Sequence, residues 1–273
     1  MFDNLVATLR SHSPLIHCIT NYVTVGDVAN VLLACGASPV MADDAQEASE
    51  MASVAAGLCL NIGTLNSRTI GSMLLAGKAA AQRGIPILLD PVGVGATPFR
   101  TRTAMRLLKE LPVAVVRGNL SEIKAIAGVG SFVKGVDAGA LDVVTEENLS
   151  AMIEFCRRVA RSLSCTVAVS GAIDLISDGQ RTFIVRNGHP IMPRVTGTGC
   201  MLSGMTTAFL AARPEDVTEA ATAAYAVMGL AGEIAHQALA PNQGTGTFRS
   251  NLIDAISLMD DATLQAGMKV ELR

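Results

Sequence analysis

The sequence predicts an α/β fold: a mainly parallel central sheet, helices on both faces and a helical C-terminal third. Short apolar runs alternate with amphipathic stretches of helical period, the pattern of βαβ units. The runs are apolar throughout, as strands covered on both faces are. Half of the 273 residues are apolar and only 16% are charged, so the chain can bury a sizeable core. No repeat, low-complexity tract or long linker interrupts it, which predicts one domain over 1–273.

In chain order, a helix over 2–10 leads to a strand over 14–19. An Ala/Val/Leu helix over 23–35 precedes a short strand at 38–41, and a helix over 45–54 precedes a strand at 57–61. Helix 67–83 with strand 86–89, then helix 99–111 with strand 113–116, continue the alternation to a short helix at 121–127. Residues 128–143 are Gly-rich without a period and read as a long loop or flap. Helix 146–163 feeds strand 166–170. Runs 172–177 and 181–186, separated by Asp178-Gly179, read as an antiparallel hairpin. From 199 to about 266 the chain is helical, divided by Pro214 and the stretch 241–247.

Composition removes several function classes. A net charge of −3, no Trp, two Tyr and seven Phe leave no basic footprint and few stacking rings, so nucleic acid is excluded as a partner. Mean hydropathy is +0.41, yet every uncharged stretch is short or broken by Gly, Pro, Asn and Thr. No membrane partner is expected. The N-terminal MFDNLV lacks a basic and apolar leader pattern. Cysteines at 18, 35, 59, 156, 165 and 200 form no CxxC pair and read as small core residues in a reducing cytoplasm. The apolar excess points to a large core or a buried subunit interface.

The two commonest nucleotide motifs are absent. Gly71…Gly77-Lys78-Ala79 has one residue too many for a Walker A loop and no hydroxyl. Leu202 stands where the third glycine of a dinucleotide fingerprint belongs. Three other constellations carry chemistry. Thr196-Gly197-Thr198-Gly199-Cys200 opens a long apolar helix; its glycines admit a ligand to the backbone, and first-turn N–H groups form an anion hole. The plain alternative is an ordinary helix start. Asp90 closes an apolar strand and belongs at the sheet's carboxyl edge, where open α/β sheets bind ligands, or is a simple turn residue. Arg117, Asn119 and Glu122 follow the next strand. Asn119 and Glu122 can share one helix face, either as a cap with a first-turn acid or as groups facing a hydrated Mg²⁺, with Arg117 across phosphates. Their convergence suggests nucleotide-dependent phosphoryl transfer.

The set HCITNYVT (17–24), SPVMADD (38–44), NIGTLN (61–66), DPVGVGAT (90–97), RGNLSEI (117–123) and TGTGCMLSG (196–204) resembles the hydroxyethylthiazole kinase family of the ribokinase-like superfamily. The resemblance runs over nearly the whole chain. It implies a ribokinase-like α/β/α sandwich, ATP as phosphoryl donor, hydroxyethylthiazole as acceptor, Mg²⁺ as cofactor, and a homotrimer with active sites between subunits. Matched by position, Met41 and Gly197 fall on thiazole-binding residues, with Asn21 and Gly63 in segments that approach the thiazole. Arg117 and Ser170 fall on ATP-contacting residues, Ser170 standing where the family often has Thr. Glu122 and Asp90 fall in the magnesium region. A kinase for hydroxymethylpyrimidine would share the ATP half and differ in the acceptor pocket.

Most ribokinase-like kinases carry an Asp general base where this chain has Cys200, and the thiazole kinases resemble this sequence in having Cys. A thiol with a pKa of about 8.5 is a mediocre base unless the helix start lowers it. The expectation is that Cys200 lines the site beside the substrate hydroxyl and assists modestly, while Gly197, Thr198 and Gly199 hold the transferred group. His17 is expected to be hydrogen-bonded structure, and the other histidines show no metal-ligand spacing.

Overall fold

A computed structural model describes residues 2–129 and 143–273, so most of the loop expected at 128–143 lies outside the described residues. Six strands run parallel: β1 (Leu15–Ile19), β2 (Ser38–Val40), β3 (Gly57–Asn61), β4 (Ile87–Asp90), β5 (Val115–Asn119) and β6 (Thr166–Ser170). Three more, β7 (Asp174–Ser177), β8 (Thr182–Val185) and β9 (Val270–Leu272), add antiparallel to β6. They form one sheet in the order β2-β1-β3-β4-β5-β6-β7-β8-β9.

Helices cover both faces because neighbouring strand residues point to opposite sides. Cys18 and Cys59 enter one core with side chains from α1 (Leu5–His12), α2 (Val25–Cys35), α8 (Thr198–Ala212), α9 (Val217–Gln237), α10 (Thr245–Leu258) and α11 (Asp261–Gly267). Ile19 and Leu60 enter the other, with α3 (Ala48–Val54), α4 (Ser67–Arg83), α5 (Pro98–Glu110), α6 (Leu120–Val129) and α7 (Leu149–Leu163). Local chemistry sets the helix limits. Asn66 accepts from the N–H groups of Arg68 and Thr69 to start α4, and Gly84 closes it at φ 68°. Thr97 accepts from Arg100 N, and Pro98 supplies the first position of α5. The helix α9 is Ala-rich and almost wholly buried between the sheet and α8, α10 and α11. Among the described residues no helix is long and apolar enough to cross a membrane.

Three differences from the sequence reading bear on the site. The strand expected at 113–116 is β5, Val115–Asn119, because Arg117 and Asn119 pair in register with Ala168 and Ser170. Polar residues that read as loop are therefore held by the ladder. Strand β4 likewise extends to Asp90, opposite Asn61. The strand β9 was not anticipated: it is three residues long and exists because Thr182 and Arg273 exchange backbone hydrogen bonds at 2.8 and 2.9 Å. The hairpin forms as expected, turning at Gly179 with φ 93°.

Candidate active site

The carboxyl ends of the parallel strands lie along one edge and each delivers a polar group or a loop. In sheet order these are Met41 after β2, Asn21 after β1, Asn61 and Gly63 at β3, Asp90 at β4, Arg117 and Asn119 at β5, and Ser170 at β6. The start of α8 faces β1, β3 and β4 across this edge. Residues scattered over the chain are thus arranged as a row.

Arg117 is buried toward the β6 end of that row. Its Nη2 donates to Ser170 Oγ at 2.8 Å, and its Nη1 lies 3.7 Å from Asp90 Oδ2. Gly199 is required here, since a Cβ at that position would lie 2.9 Å from Arg117 Nη1. Asp90 is 1% exposed; its Oδ2 accepts from Asn61 Nδ2 at 2.8 Å and Ser203 Oγ at 2.6 Å. Burial pushes the Asp90 carboxyl up to about 6 against the opposing pull of Arg117. Its Oδ1 is buried without a hydrogen-bond partner.

Asn119 and Glu122 form a reciprocal cap at the start of α6. Asn119 Oδ1 accepts from Glu122 N at 2.9 Å, and Glu122 Oε2 accepts from Asn119 N at 2.8 Å. The remaining oxygen, Oε1, accepts from Gly93 N at 2.9 Å, so Glu122 also holds the loop after Asp90. The capping reading of this pair is therefore realised at the sheet edge, close enough to Asp90 for the two carboxyls to repel.

Helix α8 begins at Thr198 after Gly197, whose φ is 91° and where a Cβ would meet Thr24 Cγ2 at 2.7 Å. No side chain caps it, so its first N–H groups remain available. Thr198 turns its hydroxyl back to Met192 O and Val195 O at 3.4 and 3.5 Å. Half-buried Cys200 receives hydrogen bonds from Asn21 Nδ2 at 3.0 Å and Asn61 Nδ2 at 3.3 Å. Burial, and next the Asp90 carboxylate, hold the thiol above its ordinary pKa despite these donors. The helix start does not produce a thiolate. Gly63 completes this side: a Cβ there would lie 2.9 Å from Asn61 Oδ1 and 3.0 Å from Asn21 Nδ2. Met41 is half-buried against the α8 core at the open edge of the sheet.

On the other side of Arg117 a cleft of about 640 Å³ opens between β6, the loop after β8 and α9. Ser170, Asp174, Met192, Gly199, Leu202 and Met228 are among its lining residues. Asp174 is buried; its Oδ1 accepts from Gly171 N at 2.8 Å, and desolvation raises its pKa to about 7. The sequence reading did not single out Asn61, Ser203 or Asp174. Asn61 carries the same signal as Asp90, a polar residue ending an apolar strand. Ser203 carries none, because its partner Asp90 is remote in sequence, and Asp174 reads as an ordinary turn residue, accepting from Gly171 N three residues before it. His17 is fully buried with Nε2 2.6 Å from Ala42 O, as expected of a structural histidine.

A mainly parallel sheet with a buried cation and carboxylate at its carboxyl edge, faced by a glycine-opened helix, is the layout of a small-molecule kinase. A pyridoxal kinase from Staphylococcus aureus in complex with AMP-PCP and pyridoxal shares the fold, with TM-score 0.63 at 14% identity over 95% of this chain and 98% of that one. The chain belongs to the hydroxyethylthiazole kinase family, whose model matches residues 6–261. It is 45% identical to hydroxyethylthiazole kinase of Clostridium acetobutylicum over 99% of both chains, and 49% identical to that of Ruminiclostridium cellulolyticum over 94% of this chain and 92% of the relative. The solved hydroxyethylthiazole kinase protein of Pyrococcus horikoshii matches with TM-score 0.87 and 38% identity, covering 100% of this chain and 98% of that one.

The buried Asp174 sets a pH dependence of stability. Its folded pKa of about 7 lies above the ordinary 3.8, so the folded state holds more protons than the unfolded state between these values. Its contribution is fully present below the lower value and is lost as pH rises through the upper one. Asp174→Asn keeps an acceptor for Gly171 N and removes the ionisation. Thermal unfolding should show the variant gaining on the wild type from about pH 4 to about pH 7; parallel curves would contradict this.

Proposed function

We propose that this chain transfers the γ-phosphoryl group of ATP to the hydroxyl of 4-methyl-5-(2-hydroxyethyl)thiazole, giving the thiazole phosphate and ADP, in thiamine salvage. The observation that carries this is the row from Met41 to Ser170 along one sheet edge, in a chain of this family. On this reading Met41, Asn21, Gly63 and Gly197 bind the alcohol, and Arg117, Asn119 and Ser170 bind ATP in the 640 Å³ cleft and its approach. The first N–H groups of α8, from Thr198, Gly199 and Cys200, hold the group in flight.

Mg²⁺ accompanies ATP in this proposal. The buried, unpartnered Asp90 Oδ1 is a hard oxygen donor aimed at nothing else, and Asp90 with Glu122 would hold the ion. The described residues contain no cluster of three or more His, Cys, Asp or Glu, but one or two carboxylates suffice when phosphates complete the shell. The ion supplies charge neutralisation on the phosphates when bound.

In the transfer the alcohol oxygen bonds to the γ-phosphorus. The bond from that phosphorus to the bridging oxygen breaks, its electron pair leaving on ADP. The hydroxyl proton passes to an oxygen of the transferred group, because Cys200 is a neutral thiol and the loose transition state asks little of a base. The neutral thiol also adds no negative charge opposite the phosphates. Arg117, fixed by Asp90 and Ser170, is preorganised for the charge that develops.

The alcohol side is completed in this proposal by a second subunit of a homotrimer. Tyr22 and Val23, next to Asn21, are 76% and 60% exposed, and Leu33 and Val54, toward the C-terminal ends of α2 and α3, are 61% and 65% exposed. Such apolar exposure beside β2 supports an interface. Cytoplasmic residence is supported by six free cysteines.

ADP release by the purified protein with Mg-ATP should depend on hydroxyethylthiazole. Release with hydroxymethylpyrimidine alone would overturn the acceptor assignment. Cys200→Ala should retain activity far above the ~10⁴-fold loss that removal of an essential acid–base group can bring, and Cys200→Asp should stay active. Leu33→Glu should shift sedimentation from trimer to monomer and raise KM for the alcohol more than for ATP; an unchanged sedimentation profile would argue against that face.

A further inference from the structure

Arg100 lies outside the segments that carry the family resemblance, yet its guanidinium joins two loops of the site. It stands in the first turn of α5, where its backbone N–H is held by Thr97 Oγ1 at 3.3 Å. Its Nη1 donates to Ile62 O at 2.6 Å and Val92 O at 2.8 Å, and its Nη2 donates to Gly63 O at 2.8 Å. Two of these carbonyls belong to the loop after β3 and one to the loop after β4. The strands beneath are laddered as far as Ile62 N to Asp90 O at 3.2 Å. Beyond that point Arg100 bridges the diverging chains with charge-assisted hydrogen bonds.

The two loops hold opposite halves of the site. Gly63 N donates to Asn61 Oδ1 at 2.8 Å, and Asn61 reaches both Asp90 and Cys200. On the other loop, Gly93 N donates to Glu122 Oε1, and a Cβ on Gly93 would touch the Arg100 side chain at 3.3 Å. One side chain thus sets the spacing between the alcohol-facing carboxamides and the carboxylate that caps α6. We propose that Arg100 is a positioning residue for phosphoryl transfer, a clamp that keeps the loops at 61–66 and 91–97 in one relative position. This rests on the function proposed above. A planar fork satisfies three carbonyls on two chains; a lysine ammonium offers the charge without that geometry.

The test compares wild type with Arg100→Lys and Arg100→Ala. Wild-type turnover of hydroxyethylthiazole tests the function itself; amide exchange tests the clamp whether or not that alcohol is the acceptor. In Arg100→Lys the amides of both loops should lose protection together while those lining the cleft near Ser170 keep theirs. Its kcat/KM for the alcohol should fall by about 10–100-fold, with binding of a non-hydrolysable ATP analogue unchanged. Guanidinium at sub-denaturing concentration should restore part of the activity of Arg100→Ala, and methylammonium should not. Wild-type kinetics and exchange in Arg100→Lys would overturn the proposal, and so would loss of protection throughout the chain, which marks a general stability role. If Arg100→Ala does not fold, the exchange pattern of Arg100→Lys decides.

Discussion

The site depends on one buried cation. Arg117 sits almost out of water at the carboxyl edge of β5, where an unpaired charge would be costly. Its surroundings are arranged around that fact. Asp90 lies beside it from β4, Ser170 accepts its hydrogen bond from β6, and glycine at 199 lets α8 start against its guanidinium. The same arrangement leaves Asp90 with one oxygen unengaged and a raised pKa, since one cation at 3.7 Å only partly offsets full burial.

The Asn21–Asn61 side of the row is built differently, from neutral groups. Asn21 and Asn61 tie β1 and β3 together, direct their amide hydrogens to Cys200, and leave room only for glycine at 63. Charge is thereby kept to the Asp90 and Arg117 side of the row. A thiol held neutral suits this division: a thiolate at Cys200 would stand near the Asp90 carboxylate and be repelled by it. In the proposed transfer, catalysis rests on orientation and on the fixed dipoles of α8 more than on proton abstraction.

Much of this was legible in the residues. The limits of β3, α4 and β6 coincide with those read from the sequence, because their apolar runs and flanking breakers agree with the tertiary demand. Asp90 and Arg117 were found because polar residues that end apolar strands stand out. The extension of β5 through Asn119 was not legible: ladder pairing with β6, from more than forty residues away, overrides the loop-like composition. Ser203 and Arg100 are ordinary residues in sequence and acquire meaning only through partners on other elements, and Asp174 only through its burial.

The sequence by itself determined the alternation of strands and helices, the parallel sheet covered on both faces, and the glycines at 197 and 199 that open α8. These follow from local periodicity, turn chemistry and short-range sterics. Only the tertiary structure decided which strand ends stand side by side, that Glu122 is bound into a cap, that Cys200 stays protonated, and that β9 closes the sheet. Each of those depends on burial and on hydrogen bonds between segments far apart in the chain, and no local pattern encodes either.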